Sequence, residues 1–321
     1  MSELIKLSQL IESEIIKINF PSSPVNLYDP LNYFLRIGGK RLRPVLTLLA
    51  TELGGVKKED AINCALAIEV FHNFSLIHDD IMDAAPIRRG KVTVHEKWNS
   101  NIAILSGDVL LVKAYQLLAK QKSQHIPELL TLFNKTAIEV CEGQQMDMDF
   151  ETREVVTVDE YIEMIRLKTS VLLGCALEFG FIVSNDSLSN RRKIYDFGVS
   201  LGIAFQIQDD LLDLYGDPEK VGKQVGGDVK SNKKTLLYLI AEKNAKGDLK
   251  KQLNAIKSEP NPELKVVAVQ DIYEKLNVRE ETANYLAEYY QHALDLLNSI
   301  ETANDKSTIM EMVNYLFNRE H

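Results

Sequence analysis

The chain has 321 residues, a formal net charge of −9 and 45% hydrophobic residues. That length and apolar content support a full core, in one large domain or two ordinary ones. The acidic balance excludes a general nucleic-acid coat and leaves room only for local basic pockets. Cys64, Cys141 and Cys175 are odd in number, far apart and each next to an apolar residue. They suit reduced core thiols in a cytoplasmic protein, not a disulfide frame or a zinc site.

The first residues, MSELIKLSQLIESEI, mix charge with apolar residues at helical spacing and lack the blocks of a signal peptide. IKLSQLIESEIIKI (5–18) predicts the first helix, and Pro21, Pro24 and Pro30 separate it from the next. Apolar residues then recur every three or four positions over 59–83, 101–121, 126–150, 158–183, 190–214, 234–257, 266–276, 279–299 and 305–318. No proline interrupts the stretch between Pro127 and Pro218, as helix interiors require. SEPNPE (258–263) reads as a surface turn. The most apolar long stretch, VLLGCALEFGFIV (171–183), has thirteen residues and contains Glu178. It is too short and too charged to cross a bilayer, so no membrane span is expected. No stretch shows sustained strand alternation, and no repeat or linker splits the chain. One all-helical domain over 1–321 is the economical reading.

LIHDDIMD (76–83) places Asp79, Asp80 and Asp83 on an apolar helix, where like charges repel. FQIQDDLLD (205–213) repeats the spacing with Asp209, Asp210 and Asp213. The first and last Asp of each cluster are four apart and project from one helix face. If the two helices face each other, their carboxylates line one cavity. Oxygen-only ligands favour hard ions, Mg²⁺ above all, which shares its shell with water and substrate phosphates.

Basic residues flank both clusters. GGKRLRP (38–44) carries Lys40, Arg41 and Arg43; IRRGKVTVH (87–95) carries Arg88 and Arg89. RLKTS (166–170) offers Arg166, Lys168 and Thr169, and GKQVGGDVKSNKKT (222–235) offers Lys223, Lys230, Lys233 and Lys234. Arginine supplies bidentate phosphate contacts and lysine a point charge. None of these stretches matches a P-loop.

Blander readings compete. A single D-D-x-x-D is most simply a solvated helix end; two copies on apolar helices, each beside basic residues, favour a metal–phosphate site. His78 reads as a packing or hydrogen-bonding residue rather than a metal ligand. Glu69 and His72 form E-x-x-H, as in di-iron bundles, but no second copy exists. Asp147 and Asp149 are two apart and on different faces, which suits a structural or supporting role.

GGKRLRP, LIHDDIMDAAPIRRGKVTVH, the KTS triplet and FQIQDDLLDLYGD resemble, in order and spacing, the motifs of the trans-isoprenyl diphosphate synthases, or polyprenyl synthetases. The resemblance covers nearly the whole chain. It implies an all-α bundle around a deep central cavity, a homodimer, and condensation of isopentenyl diphosphate with an allylic partner: dimethylallyl, geranyl or farnesyl diphosphate. It further implies that Asp79, Asp83 and Asp209 bind three Mg²⁺ ions, with Asp80, Asp210 and Asp213 completing the metal clusters. Arg88, Lys168, Lys223 and Lys233 match positions that hold the allylic diphosphate. Lys234 is the alternative to Lys233. Lys40, Arg43, His72 and Arg89 match those that hold isopentenyl diphosphate, and Thr169 and Gln206 face the carbocation. A long apolar helix in 101–150 is expected to supply the dimer interface.

Phe74 and Ser75 lie five and four positions before Asp79, roughly one to two turns deeper at about 1.5 Å per residue. Phe74 reads as the tunnel floor, with Ser75 leaving room beside it; Ile104 and Leu105 are further candidates for closing the tunnel. The resemblance then implies a twenty-carbon product, with fifteen carbons the near alternative. Two other readings remain: a class I terpene cyclase, whose second metal motif FQIQDDLLD does not fit, and a silent subunit that regulates a partner synthase, in which Asp, Arg or Lys positions would be lost. A plain metal-binding bundle would leave the basic loops unexplained.

Overall fold

The computed structural model describes residues 2–217 and 225–317. Lys223, expected on the allylic diphosphate, lies outside the described residues. The fold is all-α, as expected. The helices are α1 (Ser2–Ile16), α2 (Val25–Leu35), α3 (Leu42–Leu53), α4 (Ile62–Met82), α5 (Val94–Lys97), α6 (Ser100–Leu118), α7 (Ile126–Thr152), α8 (Val158–Ile165) and α9 (Val171–Val183). They continue as α10 (Leu188–Tyr215), α11 (Gly227–Lys230), α12 (Leu236–Asn244), α13 (Gly247–Ile256), α14 (Pro262–Lys275), α15 (Val278–Ser299) and α16 (Ser307–Phe317). A 3₁₀ turn, Lys58–Ala61, leads into α4, and a π-helical segment, Arg166–Ser170, joins α8 to α9. The hairpin β1 (Ile87–Arg88) and β2 (Lys91–Val92) is antiparallel, with Ile87 opposite Val92.

Local chemistry sets several boundaries. Asn99 caps α6 by accepting from Ile102 N at 2.9 Å, and Thr157 with Glu160 forms a capping box at α8. Pro30 does not separate helices; it sits inside α2, where burial of Pro30, Leu31, Phe34 and Leu35 offsets the lost backbone bond. The helix expected over 234–257 is two helices, because Ala245 turns extended and Gly247 takes φ +55°. The periodic stretches did not include 42–53, yet α3 forms there, with a nearly all-buried run from Pro44 to Thr51. A helix buried on most sides shows no amphipathic stripe.

The chain forms two compact units. The first takes the described residues to Lys135, Leu172–Tyr195 and Ile300–Glu311; the second takes Thr136–Val171, Asp196–Ser299 and the described residues from Met312. In the first, α4 packs along α6 and against α3, with α2 on α6 and α1 on α3. In the second, a core including Tyr161, Ile207, Ile240, Val269 and Tyr273 joins α8, α10, α12 and α14.

Cys64 and Cys175 are buried, and burial pushes the Cys64 thiol well up. Cys141, expected in the core, is exposed. Val140 before it is apolar, but Glu142 follows it, and its place on α7 turns it outward. Among the described residues, α6 is the helix with the length and apolarity to cross a membrane, and 39% of that window is buried. Its exposed residues include Ile104, Leu105, Val112 and Tyr115. Ile104 and Leu105 are thus at the surface, not positioned as tunnel-closing core residues.

Candidate active site

In the first unit, α4 ends at Met82 with Asp83 as its cap, so Asp79, Asp80 and Asp83 crowd its C-terminal turn. Acidic side chains there oppose the helix macrodipole, an arrangement that calls for a cation. Asp80 is buried at 1% exposure and receives Arg88 Nε at 2.8 Å on Oδ1. Its Oδ2 is buried with no hydrogen-bond partner. Burial raises the Asp80 carboxyl, against the lowering pull of Arg88. Asp79 is half-buried and Asp83 exposed. Arg88, expected on a substrate diphosphate, therefore rests on Asp80 here.

One to two turns earlier, cations gather. Arg43 Nη1 lies 3.2 Å from His72 Nε2. Arginine only donates, so that nitrogen of His72 accepts and the proton sits on Nδ1. Burial, then Arg43 and Arg89, hold His72 well below its ordinary pKa, so the ring is neutral. Burial also lowers Arg43 to about 10. Arg43 Nε is buried without a partner. An unsatisfied buried guanidinium N–H is costly unless an anion arrives. Arg89, at φ +52°, donates to the Gly38 carbonyl. A Cβ at Gly39 would meet Arg89 Nη1 at 2.7 Å, so a side chain there would push the Arg89 guanidinium aside. Lys40 is exposed beside it.

Phe74 is half-buried, its ring 5.5 Å from Phe71 and 4.7 Å from His78. His78 fits because Gly107 on α6 has no side chain: a Cβ there would lie 2.3 Å from His78 Nε2. His78 is a packing residue, as read. Ser75 is spent locally, its hydroxyl donating to the His72 carbonyl at 2.9 Å.

In the second unit, Asp209, Asp210 and Asp213 again sit in the last two turns of a helix, α10. Asp210 is 5% exposed; its Oδ2 accepts from Tyr161 hydroxyl at 2.5 Å and its Oδ1 from Gln206 Nε2 at 3.3 Å. Burial pushes the Asp210 carboxyl up to about 7. Asp209 is half-buried. Asp213 Oδ2 accepts from the Asp228 backbone N–H at 3.1 Å, tying α10 to α11. The carboxyls inside the turn are thus held by the fold, and Gln206 faces Asp210.

Lys168 and Thr169 lie on the π-helical segment, where the extra residue per turn re-aims side chains. Lys168 Nζ is 2.6 Å from Asp147 Oδ2, which gives Asp147 its supporting role. A Cβ on Gly143 would lie 2.2 Å from Lys168 N, so α7 meets this segment backbone to backbone. Lys234 Nζ donates to the carbonyls of Phe150 and Glu151 at 2.5 and 3.4 Å, at the end of α7. Lys233 is exposed and its charge lowers the Asp210 pKa. Sequence reasoning missed Tyr161, which carries no motif, and saw Glu69 only as part of E-x-x-H.

Carboxylate oxygens of this kind fit Mg²⁺. Among the described residues no group of three or more His, Cys, Asp and Glu side chains converges into a cage of its own. Mg²⁺ needs none, since it takes most ligands from water and phosphate. Aspartate clusters set against helix dipoles, with an arginine whose Nε lacks a partner near one of them, are the kind of groups that suit a hard cation and a phosphorylated ligand.

The sequence pattern of the family described as polyprenyl synthetase matches residues 24–276. The chain is 35% identical to a geranylgeranyl diphosphate synthase of Methanosarcina mazei, covering 100% of this chain and 98% of that one. It is 39% identical to a geranylfarnesyl diphosphate synthase of Natronomonas pharaonis, over 72% of this chain and 73% of that one. The crystal structure of a geranylgeranyl pyrophosphate synthase superposes with a TM-score of 0.92 at 42% identity, covering 99% of this chain and 98% of that one. The chain belongs to the polyprenyl synthetase family and is a prenyltransferase.

Proposed function

We propose that the chain joins isopentenyl diphosphate to an allylic diphosphate (dimethylallyl, geranyl or farnesyl) with Mg²⁺ and makes a twenty-carbon, all-trans product. The observation that carries this reading is on α4. That helix holds a carboxylate pair suited to metal, Asp79 and Asp83, and, within two turns, His72 beside the unsatisfied Arg43 N–H. Metal-type oxygen donors on α4, with the anion-seeking Arg43 guanidinium reaching His72 of that helix from α3, suit a diphosphate-bearing pair of substrates.

In this reading Asp79, Asp83 and Asp209 hold Mg²⁺, three ions with substrate bound, and Asp80, Asp210 and Asp213 support them. Bound Mg²⁺ would neutralise charge on the leaving diphosphate. Arg88, Lys168, Lys223 and Lys233 grip that diphosphate as its C–O bond breaks. For Arg88 this means exchanging Asp80 for the substrate. Lys40, Arg43, His72 and Arg89 hold isopentenyl diphosphate so that its double bond attacks C1 of the allylic cation. Thr169 and Gln206 present oxygen to that cation. The proton lost afterwards goes to the departing diphosphate. Phe74, braced by Phe71 and His78, is the floor that limits length. The whole chain acts as one catalytic domain, in the cytoplasm. A homodimer covers the apolar stripe of Ile104, Leu105, Val112 and Tyr115 on α6.

The test is a product assay. Purified protein receives Mg²⁺, isopentenyl diphosphate and one allylic starter per tube, with Asp79→Ala as control. Mass spectrometry is expected to find a twenty-carbon product that disappears in the control. A fifteen- or twenty-five-carbon main product would correct the length. No elongation from any starter would point to a silent regulatory subunit.

A further inference from the structure

Glu69 is 2% exposed on α4, three residues before His72 and on the same face. Its Oε1 accepts from Arg41 Nη1 at 2.5 Å and from Asn73 Nδ2 at 3.1 Å. Asn73 also donates to the Glu69 carbonyl at 2.6 Å, which fixes the carboxylate's own base. The Arg41 side chain is fully buried. Its remaining donors go to both carboxylate oxygens of Glu12, Oε1 at 2.7 Å and Oε2 at 3.4 Å, and to the Leu35 carbonyl at 2.9 Å.

Arg41 pays for this position in its backbone. It caps α3 with φ +47°, a left-handed conformation that side chains other than glycine rarely adopt. Such strain persists only where surrounding contacts over-determine it. Here three groups on three elements do so, and Glu69 is the only fully buried charge among them. Arg41 sits directly after Lys40 and two residues before Arg43. Whatever sets its backbone sets the direction of both neighbours.

We propose that Glu69 is a positioning residue: by clamping Arg41 it aims Lys40 and Arg43, with His72, at one diphosphate-bearing substrate. This rests on the assignment of that subsite to isopentenyl diphosphate. Two effects of the carboxylate oppose each other. Its negative charge repels an incoming diphosphate, and its grip on Arg41 organises the groups that bind it. It also offsets repulsion within the cluster, since Glu69 favours the charged forms of both Arg43 and Arg89. A hydrogen-bonded clamp acts through geometry at contact distance, so organisation outweighs repulsion.

The experiment is steady-state kinetics with each substrate varied in turn. Glu69→Gln keeps the shape and removes the charge. It is expected to raise KM for isopentenyl diphosphate about tenfold, with kcat within threefold and KM for the allylic diphosphate unchanged. Glu69→Asp, which keeps the charge, recovers part of the loss. Should Glu69→Gln fold poorly, Glu12→Gln loosens the same clamp from its partly exposed end and raises the same KM less. An unchanged or lowered KM would mean that repulsion dominates and would overturn the proposal. So would a parallel rise in both KM values, the mark of general damage. Wild-type protein that makes no product sinks the functional reading instead. The clamp is then judged by calorimetric binding of inorganic diphosphate without Mg²⁺, expected to be about tenfold weaker in Glu69→Gln and equal to wild type if the clamp is wrong.

Discussion

The Tyr161 hydroxyl donates to Asp210 Oδ2 at 2.5 Å, joining α8 to the acidic end of α10. Burial keeps this carboxyl at about 7 in spite of that bond. In an unfolded chain it would titrate near 3.9. Between those values the native state binds more protons than the unfolded state, so stability falls as pH rises from about 4 to about 7. At about 1.4 kcal/mol per unit, the full effect is on the order of 4 kcal/mol. Urea melts in EDTA across this range should show the decline, and Asp210→Asn should flatten it. An equal slope in the variant would assign the titration to another group.

Lys233 and Lys234 are adjacent but differently used. Lys234 is committed to the carbonyls ending α7, so Lys234→Ala should cost about 1 kcal/mol of stability and leave most activity. Lys233→Ala should fold normally and lose activity by about a hundredfold, the usual scale for one charged contact to a leaving group. Melting curves and initial rates on both variants check this, and the reverse pattern would exchange the two roles.

Phe74→Ala removes the ring held between Phe71 and His78. Its products should lengthen by at least one isoprene unit, read by mass spectrometry. An unchanged distribution would place the floor elsewhere.

Gly143 has no room for a methyl group, since a Cβ would lie 2.2 Å from Lys168 N and 2.7 Å from its Cα. Backbone cannot step aside as a flexible side chain can. Gly143→Ala should destabilise by about 1–3 kcal/mol. It should also displace Lys168 and lower kcat, whereas alanine at exposed Gly247 is disfavoured only by its φ of +55°. Thermal melts of the two variants, with rates, separate crowding from backbone preference.

The aspartate clusters, the GGKRLRP and RLKTS runs and most helices were legible in the sequence, because their information is local. Periodicity reports which face of a helix is apolar, and residue chemistry reports that paired carboxylates want a hard cation. Those patterns alone pointed to the all-α class and to a metal–phosphate site; the diphosphate chemistry came from the resemblance of the motifs to the polyprenyl synthetases. The α3 helix escaped because burial on most sides erases periodicity. Pro30 inside α2 and the break after Asn244 escaped because packing overrode local propensity. Only the tertiary structure decided that Asp80 faces Arg88 while Asp83 stays exposed, that Asp210 is held by Tyr161, and that Lys234 is spent on α7. It alone placed Glu69 on Arg41. Side chains of the same type, one or two positions apart, differ in burial and partner, and those are properties of residues distant in the chain brought together by folding.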